Sequence, residues 1–320
     1  MKKFRFLLGV ILIYLFAVSA NAASYLIPGG QIVGLQLQDG SVSVAAFHEK
    51  LGENAKKSGL QEGDRILRIN DTAICRAEDI SAALSDCRGK ARITVLRDGK
   101  TKVLALLPTM TDEGPKLGIY LKQGITGVGT VTFYDPEKGT FAALGHGVNT
   151  KNGNLLSMDT GSIYAATVQS VKKGKVGTPG QLMGQLTDPA VLGTINKNTQ
   201  QGVFGTLPAP KTEKTLPTAT AQEIKTGAAT IRSTVCGSSL QEYSVEILKI
   251  YPNSGERTRN MLIKITDPAL LQTTGGIVQG MSGSPIIQDG KLVGAVTHVL
   301  VNDPTTGYGI FIENMLDAAA

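Results

Sequence analysis

Hydrophobic and polar positions along this chain alternate mostly with the period of strands. Residues 27–37 alternate apolar with small or polar side chains around Pro28-Gly29-Gly30, and residues 42–47 repeat the pattern over a shorter run. A glycine-bearing turn, Ser58-Gly-Leu-Gln-Glu-Gly-Asp64, feeds a third strand over 65–70. Residues 91–97 and 100–106 flank Asp98-Gly99, the dipeptide that two-residue hairpin loops favour. Asp289-Gly290 sits in the same way between 284–288 and 291–298. Helical spacing is clear once, where Ile80, Ala83, Leu84 and Cys87 share a face over 77–87 and Gly89 stops the helix. Strands are predicted at 127–134, 140–144, 167–171, 203–207, 228–235, 243–251 and 261–265. Many short strands with loop-rich spacing argue for a barrel or sandwich. The polar stretch 109–116, bounded by Pro108 and Pro115, reads as a linker, and 208–220 reads as a surface loop.

Composition adds three constraints. A chain of 320 residues has a prior of two domains. Its 38 glycines exceed the usual ~7% and disfavour a mainly helical protein. The formal charge of +6 invites a nucleic-acid reading. However, Lys2, Lys3 and Arg5 precede an apolar run from Phe6 to Val18 and then Ser19-Ala20-Asn21-Ala22. That is an export signal over 1–23, cut near Ala22 or retained as an anchor, and too short for the ~20 residues of an ordinary membrane span. The remaining chain has no long basic block, so nucleic acid is not an expected partner. Cys75, Cys87 and Cys236 are an odd set. Cys75 and Cys87 either pair or, more simply, all three are buried free thiols. No Cys-x-x-Cys or His-x-x-x-His spacing occurs, so neither a metal nor another cofactor is expected.

The sharpest motif is Gly280-Met281-Ser282-Gly283-Ser284-Pro285. A nucleophilic serine needs a tight turn that exposes its Oγ, with backbone N–H groups aimed at the developing oxyanion. Glycines around Ser282 allow that turn, and the N–H groups of Gly280 and Ser282 are the expected hole. The hairpin that follows is placed as in chymotrypsin-like enzymes. Met281 stands where many zymogen-activated relatives carry an acid that pairs with a new N-terminus, so that switch is not expected. Three histidines can supply a base. His48 reads as an edge residue, and His298, at the end of the hairpin, reads as a substrate contact or hydrogen-bonding group. His146, in Ala143-Leu-Gly-His-Gly147 at a strand end, reads as the general base. Asp267, Asp159 and Asp188 are open candidates for the orienting acid, although a turn or cap role explains each equally well.

Two resemblances extend this reading. The pattern Ser58-Gly59-Leu60, Gly63-Asp64, Ile66, Ile69-Asn70, followed by a helix and a strand pair, resembles a bacterial-type PDZ domain over residues 26–108. That implies a groove for peptide termini, with Val33, Gly34 and Leu35 in its carboxylate loop and Ile80 and Leu84 on its wall. Ile265-Thr-Asp-Pro268, Thr274-Gly-Gly-Ile-Val-Gln-Gly-Met-Ser-Gly-Ser-Pro285, Leu144-Gly-His146 and Gly129-Thr-Val-Thr-Phe-Tyr-Asp-Pro136 resemble the SpoIVB serine peptidases. The resemblance runs from about residue 26 to 316. It implies a mainly β protein, a PDZ domain followed after the linker by a chymotrypsin-like double β-barrel peptidase over 117–320. It also implies a triad of His146, Asp267 and Ser282. The implied role is in sporulation. By that resemblance the enzyme is expected to be exported to the space between mother-cell and forespore membranes, to cut itself, and to cleave a membrane-bound regulator of an intramembrane protease. That cleavage leads to sigma-factor activation. Two other readings are an HtrA-like quality-control protease, disfavoured by a PDZ segment that comes first, and a non-catalytic PDZ scaffold, disfavoured by the presence of both Ser282 and His146.

Overall fold

The computed structural model describes residues 24–150, 152–252 and 257–320. The expected export signal lies outside them, and among them no helix is long and apolar enough to cross a membrane.

The first two apolar runs become β1 (Tyr25–Pro28) and β2 (Ile32–Phe47). Two strands were expected across 27–47, but β2 is one long strand whose pairing shifts between Leu37 and Val42. That break divides two cores. Val33, Leu35 and Leu37 are buried with Val131, Phe141 and Ile163. Val42 and Val44 are buried instead with Ile66, Ile69, Ile80 and Ile93.

The second core belongs to a small module. It comprises α1 (Glu53–Lys57), β3 (Arg65–Ile69), β4 (Thr72–Ala73), α2 (Ala77–Leu84), β5 (Ala91–Arg97) and β6 (Lys100–Leu106). The β5–β6 turn is as expected, with Asp98 and Gly99 at φ of 50° and 74°. Residues 109–116 are not a linker but a hairpin, β7 (Thr109–Thr111) and β8 (Gly114–Lys116), closed by Thr111 Oγ1 donating to Gly114 O. Next, β9 (Ile119–Asp135) returns alongside β2 from Phe47 back to Ile32. The module is therefore an insertion between two neighbouring strands, and the expected boundaries of 26–108 and 117–320 are replaced by breaks inside β2 and β9.

The larger unit is built from two rings. β10 (Thr140–Ala143), β11 (Thr160–Lys172), β12 (Gln181–Thr199) and β13 (Gly202–Thr206) join the outer halves of β2 and β9. Pairing runs β2–β9–β10–β13–β12–β11 and back to β2, closing a six-stranded barrel. β14 (Leu216–Pro217) pairs with β1 at its edge. The second closed barrel holds β15 (Gly227–Cys236), β16 (Ser239–Ile250), β17 (Met261–Ile265), β18 (Pro285–Gln288), β19 (Lys291–Leu300) and β20 (Asp303–Phe311). α3 (Pro268–Thr274) follows β17, and α4 (Ile312–Ala319) ends the chain. The mainly β, double-barrel expectation is met. β12 was missed. It contains Gly184, Pro189 and Gly193, and most of its side chains are exposed, so it shows no alternation. Cys75, Cys87 and Cys236 are free, as the simpler reading held, but Cys75 and Cys236 are exposed rather than buried.

One ion pair anchors the module. Asp64 is 1% exposed and accepts from Arg97 Nε and Nη2, each at 2.6 Å, and from Gln61 N–H at 2.9 Å. Burial alone would raise its pKa, but the Arg97 and Gln61 hydrogen bonds hold it below the usual carboxylate value. The aspartate of the Gly63-Asp64 turn thus ties the α1–β3 loop to β5. Removing one partner of a buried pair leaves an uncompensated charge, so Arg97→Ala should destabilise the module by ~3 kcal/mol. Hydrogen exchange should show the loss in β3, β5 and α2 and leave the second barrel protected.

Candidate active site

Ser282 and His146 are both carried to the seam where the two barrels touch. They line one cavity of about 530 Å³ with His298, Gly280 and Gln279. Each is delivered by a strained or glycine-bearing turn. His146 follows β10 through Leu144 and Gly145, both at positive φ (71° and 68°), which swings the chain off the strand. Gly280 and Gly283 hold φ of 101° and 96° on either side of Met281-Ser282.

Thr130, fully buried on β9, welds the seam. Its N–H donates to Ser282 O at 3.2 Å and its Oγ1 donates to Gly280 O at 2.7 Å. Gly283 has to be glycine, because a Cβ there would lie 2.2 Å from Thr130 O and 2.5 Å from Leu144 N. The backbone of the serine turn therefore rests directly on the histidine turn.

His146 Nδ1 lies 3.0 Å from Gly147 O. A carbonyl only accepts, so Nδ1 carries the proton and Nε2 keeps the lone pair that a general base needs. Gly147 itself is packed so that a Cβ would meet Thr199 O at 2.5 Å. Asn198 fixes the following residues, accepting from Val148 N–H and donating to Val148 O and Leu156 O, each at 2.9 Å. Burial pushes the His146 pKa below its ordinary value, against a smaller raising effect of the Gly147 bond. His298 stands beside it, ring centroids 5.3 Å apart. Burial, with His146 and Arg259 nearby, lowers the His298 pKa to about 4. Its Nδ1 is buried without a hydrogen-bond partner among the described residues.

Ser282 Oγ donates to Thr297 O at 2.8 Å in this resting arrangement. Among the described residues neither Gly280 N–H nor Ser282 N–H donates to a backbone carbonyl, so both are free to receive an oxyanion. The arrangement can pass the Ser282 proton to His146 Nε2 as Oγ attacks a carbonyl, hold the oxyanion on the two N–H groups, and release an acyl-enzyme to water.

The other expected site residues lie elsewhere. Asp267 is not brought to His146. It is the N-cap of α3, with Oδ1 accepting from Leu270 N–H at 2.9 Å and Oδ2 3.5 Å from Ser244 N. Asp159 is exposed beside Gly40 at the bend of β2, and Asp188 accepts from Ala190 N–H in the exposed part of β12. Local cap and turn chemistry accounts for Asp267 and Asp188. Val33 and Leu35 are buried in the first barrel, and Gly34 pairs there with Tyr164 and Val128. They form no loop near the module. Ile80 and Leu84 do line a module cavity of about 470 Å³, opposite Ile119 and Leu121. Sequence reasoning missed Leu117-Gly118-Ile119 at the mouth of that groove, although a glycine between two apolar residues before a strand was visible there. It also missed Thr130 and Asn198, which carry no local signal.

Fold and site together have the parts a serine endopeptidase needs. A family model for the SpoIVB peptidase S55 matches residues 113–316, and the chain belongs to that family. Parts of it are similar to a Brucella suis protein named as a zinc metalloprotease, 29% identical over 153 residues, covering 47% of this chain and 38% of the relative. Another similar protein is zinc metalloprotease Rip1 of Mycolicibacterium smegmatis, 28% identical over 141 residues, covering 42% and 34%. The chain thus matches little more than a third of the length of these curated relatives. Among its described residues no three His, Cys, Asp or Glu side chains stand together to hold a metal ion. A similar solved structure is the active form of the Rv3671c protease from M. tuberculosis, with 17% identity, TM-score 0.36, covering 61% of this chain and 73% of that one. The HtrA-type protease AlgW with a decapeptide has 14% identity and TM-score 0.33, covering 65% and 56%.

Two outcomes follow. His146 must be neutral to act, and its lowered pKa keeps it neutral in mildly acid solution. The acid limb of kcat/KM should therefore fall below the ordinary histidine value of ~6.5, and His298→Asp, by placing a carboxylate beside His146, should move it upward. Asp267→Asn keeps a capping side chain, so kcat should stay near wild type, whereas loss of a triad aspartate costs ~10⁴. Steady-state rates across pH test both.

Proposed function

We propose that this is an exported regulatory peptidase of sporulation, which processes itself and then cleaves a membrane-associated regulatory protein in a pathway leading to sigma-factor activation. The observation that carries it is the joint placement of Ser282 and His146 in one cavity with two free N–H groups beside them. The motifs shared with the SpoIVB family supply the biological setting, including the space between mother-cell and forespore membranes.

The inserted module is read as a PDZ domain that presents substrate. Residues 119–123 of β9 pair only with β2, which leaves their other edge without a strand partner among the described residues. That edge faces Ile80 and Leu84 of α2 across the groove. A peptide adding there as a strand would place its carboxylate at Leu117-Gly118-Ile119. The module interrupts the first barrel between β2 and β9, whose continuations, through Leu35, Ile125 and Val128, line the active-site cavity. A peptide held by the module is thus delivered beside the nucleophile.

Mass spectrometry of purified wild-type protein beside Ser282→Ala tests this reading. New internal N-termini should appear in the wild type and vanish in the variant. Identical fragments in both, or none in either, would contradict self-processing by Ser282.

A further inference from the structure

We propose that residues 180–182, where the chain enters β12, are a positioning element that holds the oxyanion hole open. The proposal rests on the serine-peptidase reading and concerns a strand that the sequence did not reveal.

The turn before Ser282 needs an external hold. Gly280 is at φ 101°, a conformation open to glycine; Thr130 holds its carbonyl, on the peptide that follows, but not the peptide that precedes it. Enzymes switched on by a new N-terminus hold this turn with an ion pair to an acid just before the serine. Here that position is Met281, fully buried among Ile277, Val278, Leu182 and other apolar side chains. It anchors the turn by packing, but packing does not decide which way a peptide plane faces.

Residues 180–182 decide it. Gln181 and Gln279 form an isolated parallel bridge. Leu182 N–H donates to Gln279 O at 2.8 Å, and Gln279 N–H donates to Gly180 O at 2.9 Å. The carbonyl of Gln279 is thereby fixed toward β12. In a trans peptide the next N–H points the opposite way, so that of Gly280 is turned away from Leu182. The far face of that peptide is the cavity that Gln279, Gly280 and Ser282 line. If the bridge let go, the Gln279–Gly280 plane could flip, putting a carbonyl oxygen where the oxyanion must sit.

The contact is tightly built. A Cβ on Gly280 would lie 3.1 Å from Leu182 Cβ, so the two backbones are in near contact. A Cβ on Gly180 would lie 2.4 Å from both Gly174 N and Lys172 O, and 2.6 Å from Val278 Cγ1. Gly174 in turn donates to Thr274 O at the end of α3. The β11–β12 connection is thus pinned to the second barrel on one side and to the oxyanion turn on the other.

The test uses the full chain and a peptide spanning its own processing site. Gly180→Ala must displace the clamp, so kcat should fall ~100-fold, the scale of one lost oxyanion donor, with KM unchanged. Affinity for a peptide aldehyde of the same sequence, whose adduct fills the hole, should fall by a similar factor, while affinity for the product peptide stays constant. Leu182→Ala, which loosens packing on Gly280 but keeps the N–H, should show the same pattern at smaller amplitude, and it serves if Gly180→Ala does not fold. Val191→Ser, on the exposed part of β12, should leave kcat unchanged. Wild-type kcat in folded Gly180→Ala, or equal loss of aldehyde and product affinity, would overturn the clamp. Absence of Ser282-dependent cleavage by the wild type would instead overturn the peptidase reading on which it rests.

Discussion

The hold of Thr130 on the serine turn is the contact on which the site depends. One buried side chain and one backbone N–H from the first barrel bind the backbone of Gly280 and Ser282 in the second. Gly283 permits this, because any side chain there would push the barrels apart at Thr130 and Leu144. The histidine turn leaves the strand next to Thr130, so one seam sets the positions of both His146 and Ser282. A buried hydrogen bond across a close-packed backbone contact tolerates little displacement. This is a physical reason for two barrels rather than one: each carries half of the chemistry, and their contact surface is the registration device.

The site is also built to stay uncharged at rest. His146 is oriented by the carbonyl of Gly147 instead of a carboxylate, and its neighbour His298 is held neutral by burial and nearby positive groups. No carboxylate is among the groups that shift either pKa. A backbone carbonyl fixes the tautomer, as a triad acid would, but it offers less compensation to the imidazolium formed during acyl transfer.

Local chemistry was legible in the sequence. Asp98-Gly99 and Asp289-Gly290 specified their hairpins because such turns depend on two residues, and Gly280-Met281-Ser282-Gly283 specified the tight turn at Ser282 for the same reason. His146 was legible as a histidine between glycines at a strand end. What escaped was whatever depends on distant partners. β2 serves two cores on either side of one register shift, so its pattern gave no sign that a module interrupts the barrel. Val33, Gly34 and Leu35 were assigned to the wrong side of that break. Asp267 looked like an acid because the motif around it matched a family, but before Pro268 at a helix start its carboxylate is taken by Leu270 N–H. Several of the glycines between 174 and 237 that the sequence left unexplained mark close approaches: Gly180 against the second barrel, Gly184 against Val128, and Gly193 and Gly205 against neighbouring strands.

The central claim is that the barrel seam makes Ser282 a nucleophile by placing His146 beside it. Labelling with a fluorophosphonate, with the modified peptide identified by mass spectrometry, measures this directly. A single label on Ser282, lost or slowed by orders of magnitude in folded His146→Ala, is the predicted result. Labelling at another serine, or an unchanged rate at Ser282 without the histidine, would contradict it.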